Sequence, residues 1–186
     1  TRNKQLLALT STTGKAKADL MSQRLLDINP DVKLTSISAY LQEEDFKQIL
    51  DTNKFSYVVD AIDTLAPKVN LIKLCLQKSI PIVSSMGSGA KLDPTKIEIR
   101  DISKSHHCPL AHMLRKRLHK LGIRKGFKVV FSSEDPITEA VKLCDNEPKK
   151  KSIVGTISYL PANFGCYCAS VGINDMADKD PLTAVN

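Results

Sequence analysis

The sequence predicts an α/β protein with a mainly parallel sheet flanked by helices. Three observations lead there. Helical and strand periodicities alternate along the first half of the chain. The strand segments are short and nearly all apolar, the pattern of strands covered on both faces. The apolar residues, 42% of the 186, are chiefly aliphatic, with no Trp, so the core is an aliphatic one.

Each element follows from its own spacing. Residues 14–27 predict a helix, with Leu20, Met21, Leu25 and Ile28 at helical intervals and Asn29-Pro30 as its stop. Residues 32–38 alternate as a strand. Residues 43–50 form a short helix, and 55–62 a compact apolar strand running into Asp60 and Asp63. Residues 65–78 form a helix with Val69, Ile72 and Leu76 inward, 80–84 a strand, and Gly87-Ser88-Gly89 a loose turn. This order is that of a Rossmann-like sheet. Further on come a strand at 96–102, a basic helix at 109–121 and a short strand at 128–131. Residues 133–151 are polar and predict a loop. Residues 153–159 read as a strand or the start of a helix, 161–173 as a buried small-residue helix, and the chain from Asn174 as irregular.

The composition narrows the classes. Formal net charge is +7, from 27 basic and 20 acidic residues, which favours a polyanionic partner. Five Cys in no paired framework predict a reducing, cytoplasmic setting. No apolar run approaches the ~20 residues that span a bilayer, and no signal peptide is recognisable. The chain opens on polar residues without Met, and a portion preceding Thr1 is expected.

Several residues could carry chemistry. Asp60 and Asp63 fall at the C-terminal end of a predicted central strand, where open parallel sheets bind ligands. Asp63 either helps to hold Mg²⁺ there or caps the following helix. Lys17 either reaches phosphate or lies on a solvated surface. Gly14-Lys15-Ala16-Lys17 is not a P-loop, because it lacks the upstream Gly and the Lys-Ser/Thr ending. Arg115, Lys116, Arg117, Lys120, Arg124, Lys125 and Lys128, with Lys149-Lys150-Lys151, form basic clusters suited to RNA phosphates. Cys75, Cys166 and Cys168 read as core. Cys144, near three lysines, is the best nucleophile candidate. His106, His107, Cys108 and His112 have poor metal-ligand spacing.

Read together, Asn3-Lys4-Gln5, Gly14-x-x-Lys17-Ala18, Ile28-Asn29-Pro30, Asp60-Ala61-Ile62-Asp63-Thr64 and Pro81-x-Val83-x-x-x-Gly87 resemble the ThiF/MoeB/HesA superfamily, relatives of the ubiquitin-activating enzymes. The resemblance implies an enzyme that binds ATP and Mg²⁺ and adenylates a carboxylate. It implies that Asp63 holds the metal and serves catalysis and that Lys17 contacts phosphate. Asn3, Lys4 and Gln5 then belong to a nucleotide-binding element, with Lys4 at a catalytic position that usually carries Arg and Thr1 where Asn is usual. Lys68 matches a basic residue that often follows the Asp. Residues 1–104 then form the remainder of a Rossmann-like adenylation domain. Residues 105–175 form a basic extension completing it, and 176–186 an irregular tail. The glycine-rich loop and the acidic ribose contact are expected before Thr1.

The second half is similar to the tRNA threonylcarbamoyladenosine dehydratases. The residues concerned are Asp93-Pro94-Thr95-Lys96-Ile97, Cys108-Pro109-Leu110-Ala111, Arg115-Lys116-Arg117-Leu118, Val129 to Glu134, Gly155 to Tyr159 and Phe164-Gly165. That branch usually carries Asp at the position of Cys108. The resemblance implies ATP-dependent cyclising dehydration of threonylcarbamoyladenosine at position 37 of tRNA, with tRNA and a second copy of the chain as partners and a sulfur-relay protein as a possible further one. Two rivals stand beside it. One is an activator of a ubiquitin-like sulfur carrier, disfavoured by the lack of paired Cys-x-x-Cys motifs. The other is a degenerate, non-catalytic homologue.

Overall fold

The computed structural model describes residues 5–143 and 152–177. Strands β1 (Val58–Asp60), β2 (Ile82–Ser85), β3 (Ile97–Asp101) and β4 (Lys128–Ser132) form one sheet in the order β1-β2-β4-β3. The β1–β2 and β2–β4 pairs are parallel, and β3 runs antiparallel to β4. The expected mainly parallel sheet flanked by helices is present.

Five α-helices accompany it: α1 (Lys17–Ile28), α2 (Glu43–Thr52), α3 (Leu65–Gln77), α4 (Pro109–Lys120) and α5 (Tyr159–Ala177). Strand side chains alternate between faces. Ile82, Val129 and Phe131 pack with Phe46 and Leu50 of α2, Ile72 and Cys75 of α3, and Leu114 and Leu118 of α4. Val83 and Val130 point the other way, onto Leu160, Phe164, Cys168 and Val171 of α5. The sheet is therefore covered on both faces, as its continuous apolar strands require.

The two ends of the connection between β3 and β4 are held together by Asp101. Its carboxylate accepts from Ser103 N at 2.9 Å, Ser103 Oγ at 2.7 Å and Gly126 N at 2.8 Å. Burial alone would raise the pKa of this group. Bonds from the Ser103 hydroxyl and the Gly126, Ser103 and Phe127 amides outweigh it, and the carboxyl lies below the ordinary Asp value. The stabilisation is thus present above the unfolded value, about 3.9, and is lost as pH falls through the lower folded value. Asp101→Asn is expected to flatten the fall in melting temperature between about pH 5 and pH 3, measured by thermal denaturation.

Several expectations are corrected. Residues 32–38 are not a strand: they are paired with nothing among the described residues. Alternation supplies a face, but a strand also needs a hydrogen-bonding neighbour, and among the described residues β1 pairs with β2 alone. Val59 on that outer strand is 53% exposed. Helix α1 buries no residue, and Met21, Leu25 and Ile28 stand exposed. The predicted strand 55–62 contracts to three residues, Val58–Asp60. Part of the predicted loop 133–151 is ordered: β5 (Val141–Leu143) pairs antiparallel with β6 (Ser152–Val154). The helix α5 runs past Ile173 to Ala177, because Asp175 accepts from Tyr57 Oη at 2.8 Å and pairs with Lys128. Residues 178–186 of the expected tail lie outside the described residues.

Candidate functional site

The site begins where β1 ends. Asp60 and Lys68 are fully buried, with Lys68 Nζ 2.7 Å from Asp60 Oδ2. Asp60 also accepts from Ile62 N at 2.9 Å and Ser84 Oγ at 2.5 Å. Lys68 donates further to Ile62 O at 2.9 Å and Ser85 O at 2.8 Å. An ammonium has three N–H donors, and all three are committed. Burial pulls the Lys68 pKa down, and the Asp60 carboxylate opposes that shift by favouring the charged form. Asp60 therefore shapes the strand end. Lys68, which the resemblance places among the nucleotide-binding residues, is buried, and its three donors are taken up by Asp60, Ile62 and Ser85.

Asp63 has the opposite character. It is exposed, and among the described residues its carboxylate accepts only from Thr64 Oγ1, at 3.4 Å. It does not cap α3. Thr64 holds the N-cap position, with no side-chain cap bond. The capping alternative therefore falls away, and the carboxylate projects from the C-terminal edge of the sheet without a structural task. An exposed carboxylate of this kind suits Mg²⁺, which keeps several waters and takes one or two protein carboxylates.

A second cluster lies at the start of the chain. Gln5 and Lys17, twelve positions apart in sequence, line one cavity of about 350 Å³ together with Leu7, Thr12, Gly14 and Leu20. Gly14 has φ +86°, a left-handed conformation that favours glycine, where the chain turns toward α1. Lys17 is the first residue of α1. The N-cap Ala16 offers no side-chain acceptor to the first helical N–H groups, an arrangement that favours an anion. Asn3 and Lys4 lie outside the described residues. Asp63 is not among the residues lining this cavity.

The loop after β2 is tied down by a lysine that sequence reasoning missed. Lys91 is 2% exposed and donates to His107 O at 2.9 Å, Ser132 O at 2.6 Å and Glu134 O at 2.7 Å. The Glu134 carboxylate accepts from Leu92 N and Asp93 N, at 2.9 and 2.8 Å. Nothing in the local sequence marks Lys91, because its acceptors lie 16 to 43 positions away. The β5–β6 ribbon packs against the same loop. A Cβ on Gly89 would meet Val154 Cγ1 at 2.7 Å, so only glycine fits beneath it. Cys108 caps α4, its Sγ accepting from Ala111 N at 3.5 Å. This gives the departure from Asp a physical account: Asp is a favoured N-cap, and sulfur takes the same bond at a longer distance. His107 pairs with Asp135.

Of the cysteines, Cys75 and Cys168 are buried and their thiols are pushed up to about 11, chiefly by burial. They are poor thiolate nucleophiles. Cys166, expected in the core, is exposed: positions two apart on a helix face different ways. Cys144 and Lys149 to Lys151 lie outside the described residues.

The basic helix presents two kinds of cation. Arg115 folds back to Ser105 O at 2.7 Å, and Lys128 pairs with Asp175. Lys116, Arg117, Lys120, Arg124 and Lys125 are exposed, and none takes part in an ion pair among the described residues. Lys116, Arg117 and Lys120 lie on α4, whose inner face, Ala111, Leu114 and Leu118, is buried in the core; Arg124 and Lys125 follow the helix.

A doubly covered sheet, with a carboxylate at its C-terminal edge that forms no ion pair among the described residues, defines an α/β protein of the kind that binds ligands at that edge. Residues 2–183 match the ThiF family, and the chain belongs to it. Its relatives include the tRNA threonylcarbamoyladenosine dehydratase of Bacillus subtilis (strain 168), 47% identical over 135 residues. That match covers 73% of this chain and 53% of the relative, so the chain spans about half of that protein's length. The enzyme of the same name from Escherichia coli (strain K12) is 33% identical over 194 residues, covering 95% of this chain and 72% of the relative. The crystal structure of E. coli tRNA N6-threonylcarbamoyladenosine dehydratase in complex with ATP matches with a TM-score of 0.84 at 31% identity. It covers 97% of this chain and 72% of that one.

Proposed function

We propose that the protein uses ATP to activate the carboxylate of threonylcarbamoyladenosine at position 37 of tRNA and closes the side chain to a cyclic product with net loss of water. The observation that carries this reading is the likeness, along nearly the whole chain, to dehydratases of that name, one of them solved with ATP. The geometry supports the chemistry. Asp63 stands exposed at the sheet edge, where it would hold Mg²⁺; the metal would supply charge to offset that of the phosphates. Gln5 and Lys17 bind the nucleotide from the cavity they share. Asn3 and Lys4 extend the same element, and Lys4 offers a point charge where Arg would grip with two donors. The substrate carboxylate is joined to AMP with release of pyrophosphate. The ureido group, already tethered, then displaces AMP from the acyl carbon. Placement and charge neutralisation supply most of the rate.

The unpaired row Lys116, Arg117, Lys120, Arg124 and Lys125 is the phosphate track for the tRNA. A homodimer, a cytoplasmic location and a sulfur-relay partner belong to the same reading. No helix among the described residues is long and apolar enough to cross a membrane.

The intact protein, incubated with ATP, Mg²⁺ and threonylcarbamoylated tRNA, is expected to remove the mass of one water from the modified nucleoside, read by mass spectrometry. No mass change under any magnesium concentration would sink the reading. The triple variant K116E/R117E/K120E is expected to weaken tRNA binding by on the order of 10- to 100-fold at 0.1 M salt, with a salt slope shallower by about 2 to 3. ATP binding is expected to stay at the wild-type level.

A further inference from the structure

We propose that Lys68 is a positioning residue that holds the Asp63 loop in its working place. The inference rests on the reading above, in which Asp63 holds the metal. Its ground is the geometry of one peptide unit. Ile62 is fixed at both of its polar backbone atoms: its N–H donates to Asp60 Oδ1 at 2.9 Å and its C=O accepts from Lys68 Nζ at 2.9 Å. That carbonyl belongs to the peptide bond whose nitrogen is Asp63's own. The plane leading into Asp63 is set by the buried pair.

The third acceptor extends the effect. Lys68 Nζ also binds Ser85 O, the last residue of β2, at 2.8 Å. One ammonium thus joins the loop after β1 to the end of β2, and both lie on the C-terminal edge. Ser84 Oγ closes the network from β2 to Asp60. Lys68 reaches these atoms from the first turn of α3, where the carbonyl of Thr64 also takes its own amide at 3.3 Å. The loop 60–64 is therefore strapped to the helix behind it and to the strand beside it, while its outermost carboxylate stays in solvent.

Burial gives this arrangement its cost and its specificity. A buried ion pair contributes little net stability against an apolar pair of similar shape, whereas a single buried charge left alone is strongly destabilising. Stability and positioning can therefore be separated. Lys68→Met leaves Asp60 unpaired and is expected to destabilise the fold. The double variant K68M/D60N removes both charges, fills the same space and is expected to fold, with a melting temperature below wild type by the cost of two carbonyls left without a donor and above that of Lys68→Met. Two carbonyls, Ile62 O and Ser85 O, still lose the donor that aims them.

The test measures the magnesium dependence of cyclisation and the backbone ¹⁵N order parameters of K68M/D60N. The half-saturating Mg²⁺ concentration is expected to rise ten-fold or more, with the rate largely recovered at high Mg²⁺. The order parameters at Asp63 and Thr64 are expected to fall from about 0.85 to below about 0.6, while those in α5 stay unchanged. Adding K68M/D60N to D63N is expected to lower activity no further than D63N alone. A double variant with wild-type Mg²⁺ dependence and wild-type order parameters at 63 and 64 overturns the proposal, as does a loss that multiplies with that of D63N. If the wild-type protein itself forms no cyclic product, the proposed reaction fails. The order parameters at 63 and 64 then decide the positioning role by themselves.

Discussion

Asp63→Asn is expected to lower the rate of cyclisation by on the order of 10²- to 10³-fold, the scale at which one preorganised charge-stabilising group contributes to catalysis. The melting temperature is expected to stay close to wild type. Both halves follow from where Asp63 sits. Its carboxylate is exposed, meets only the Thr64 hydroxyl, and caps nothing. Surface substitutions away from caps and networks change stability by about 0.5 kcal/mol or less. The effect on rate comes from the lost negative charge, because Asn keeps the shape and an acceptor oxygen but offers no charge to a divalent cation. Single-turnover mass spectrometry with saturating ATP separates the loss in rate from a loss in binding. A D63N protein that cyclises at the wild-type rate would remove Asp63 from the mechanism.

Lys91→Ala carries the largest expected effect on stability. The ammonium satisfies three carbonyls that have no other reason to converge: one from the turn before α4, one from the end of β4 and one just beyond it. Burial pulls its pKa down, so the cation is kept in place by those oxygens against a desolvation cost. Hydrogen bonds to charged groups contribute roughly 1.5–3 kcal/mol each, and an orphaned buried acceptor costs roughly 1–3 kcal/mol. The cavity of about 390 Å³ beside Lys91, bounded by Ala90, Leu92, Ile137 and Gly155, admits water and returns part of this. A net loss of about 2–5 kcal/mol is expected, read as a lower urea midpoint in equilibrium unfolding. Lys91→Arg is not expected to restore it, since a planar fork cannot meet three oxygens arranged around a point. A midpoint unchanged in Lys91→Ala would show that the three segments hold each other without the cation.

The two lysines mark how far local sequence reasoning reaches. Asp63 was legible because its position at a strand end, and the motifs on either side, are properties of neighbouring residues. The basic row on α4 was legible for the same reason: helical spacing alone separates Leu114 and Leu118 from Lys116, Arg117 and Lys120. Lys68 is legible as a basic residue following Asp63, but its place five positions on does not say that its side chain turns inward to Asp60. Lys91 was not noticed at all. The β5–β6 ribbon was hidden because its pairing joins segments across a polar stretch, and polarity reads as loop.

What the sequence by itself determined about this protein is the periodicity of its elements. Alternating apolar strands and amphipathic helices dictate a doubly covered sheet, and the carboxylate at the end of β1 falls at the edge where such sheets bind ligands. What only the tertiary structure decided is which polar groups are consumed by the fold and which are left for function. Residues 32–38 carry a strand's alternation and find no neighbour. Cys108 lies among three histidines in the sequence and caps a helix. Asp60 and Asp63, three positions apart, part company completely, one buried against Lys68 and Ser84, the other in solvent. The physical reason is the same in each case. Periodicity depends on neighbours in the chain, whereas pairing, burial and the satisfaction of a buried charge depend on neighbours in space.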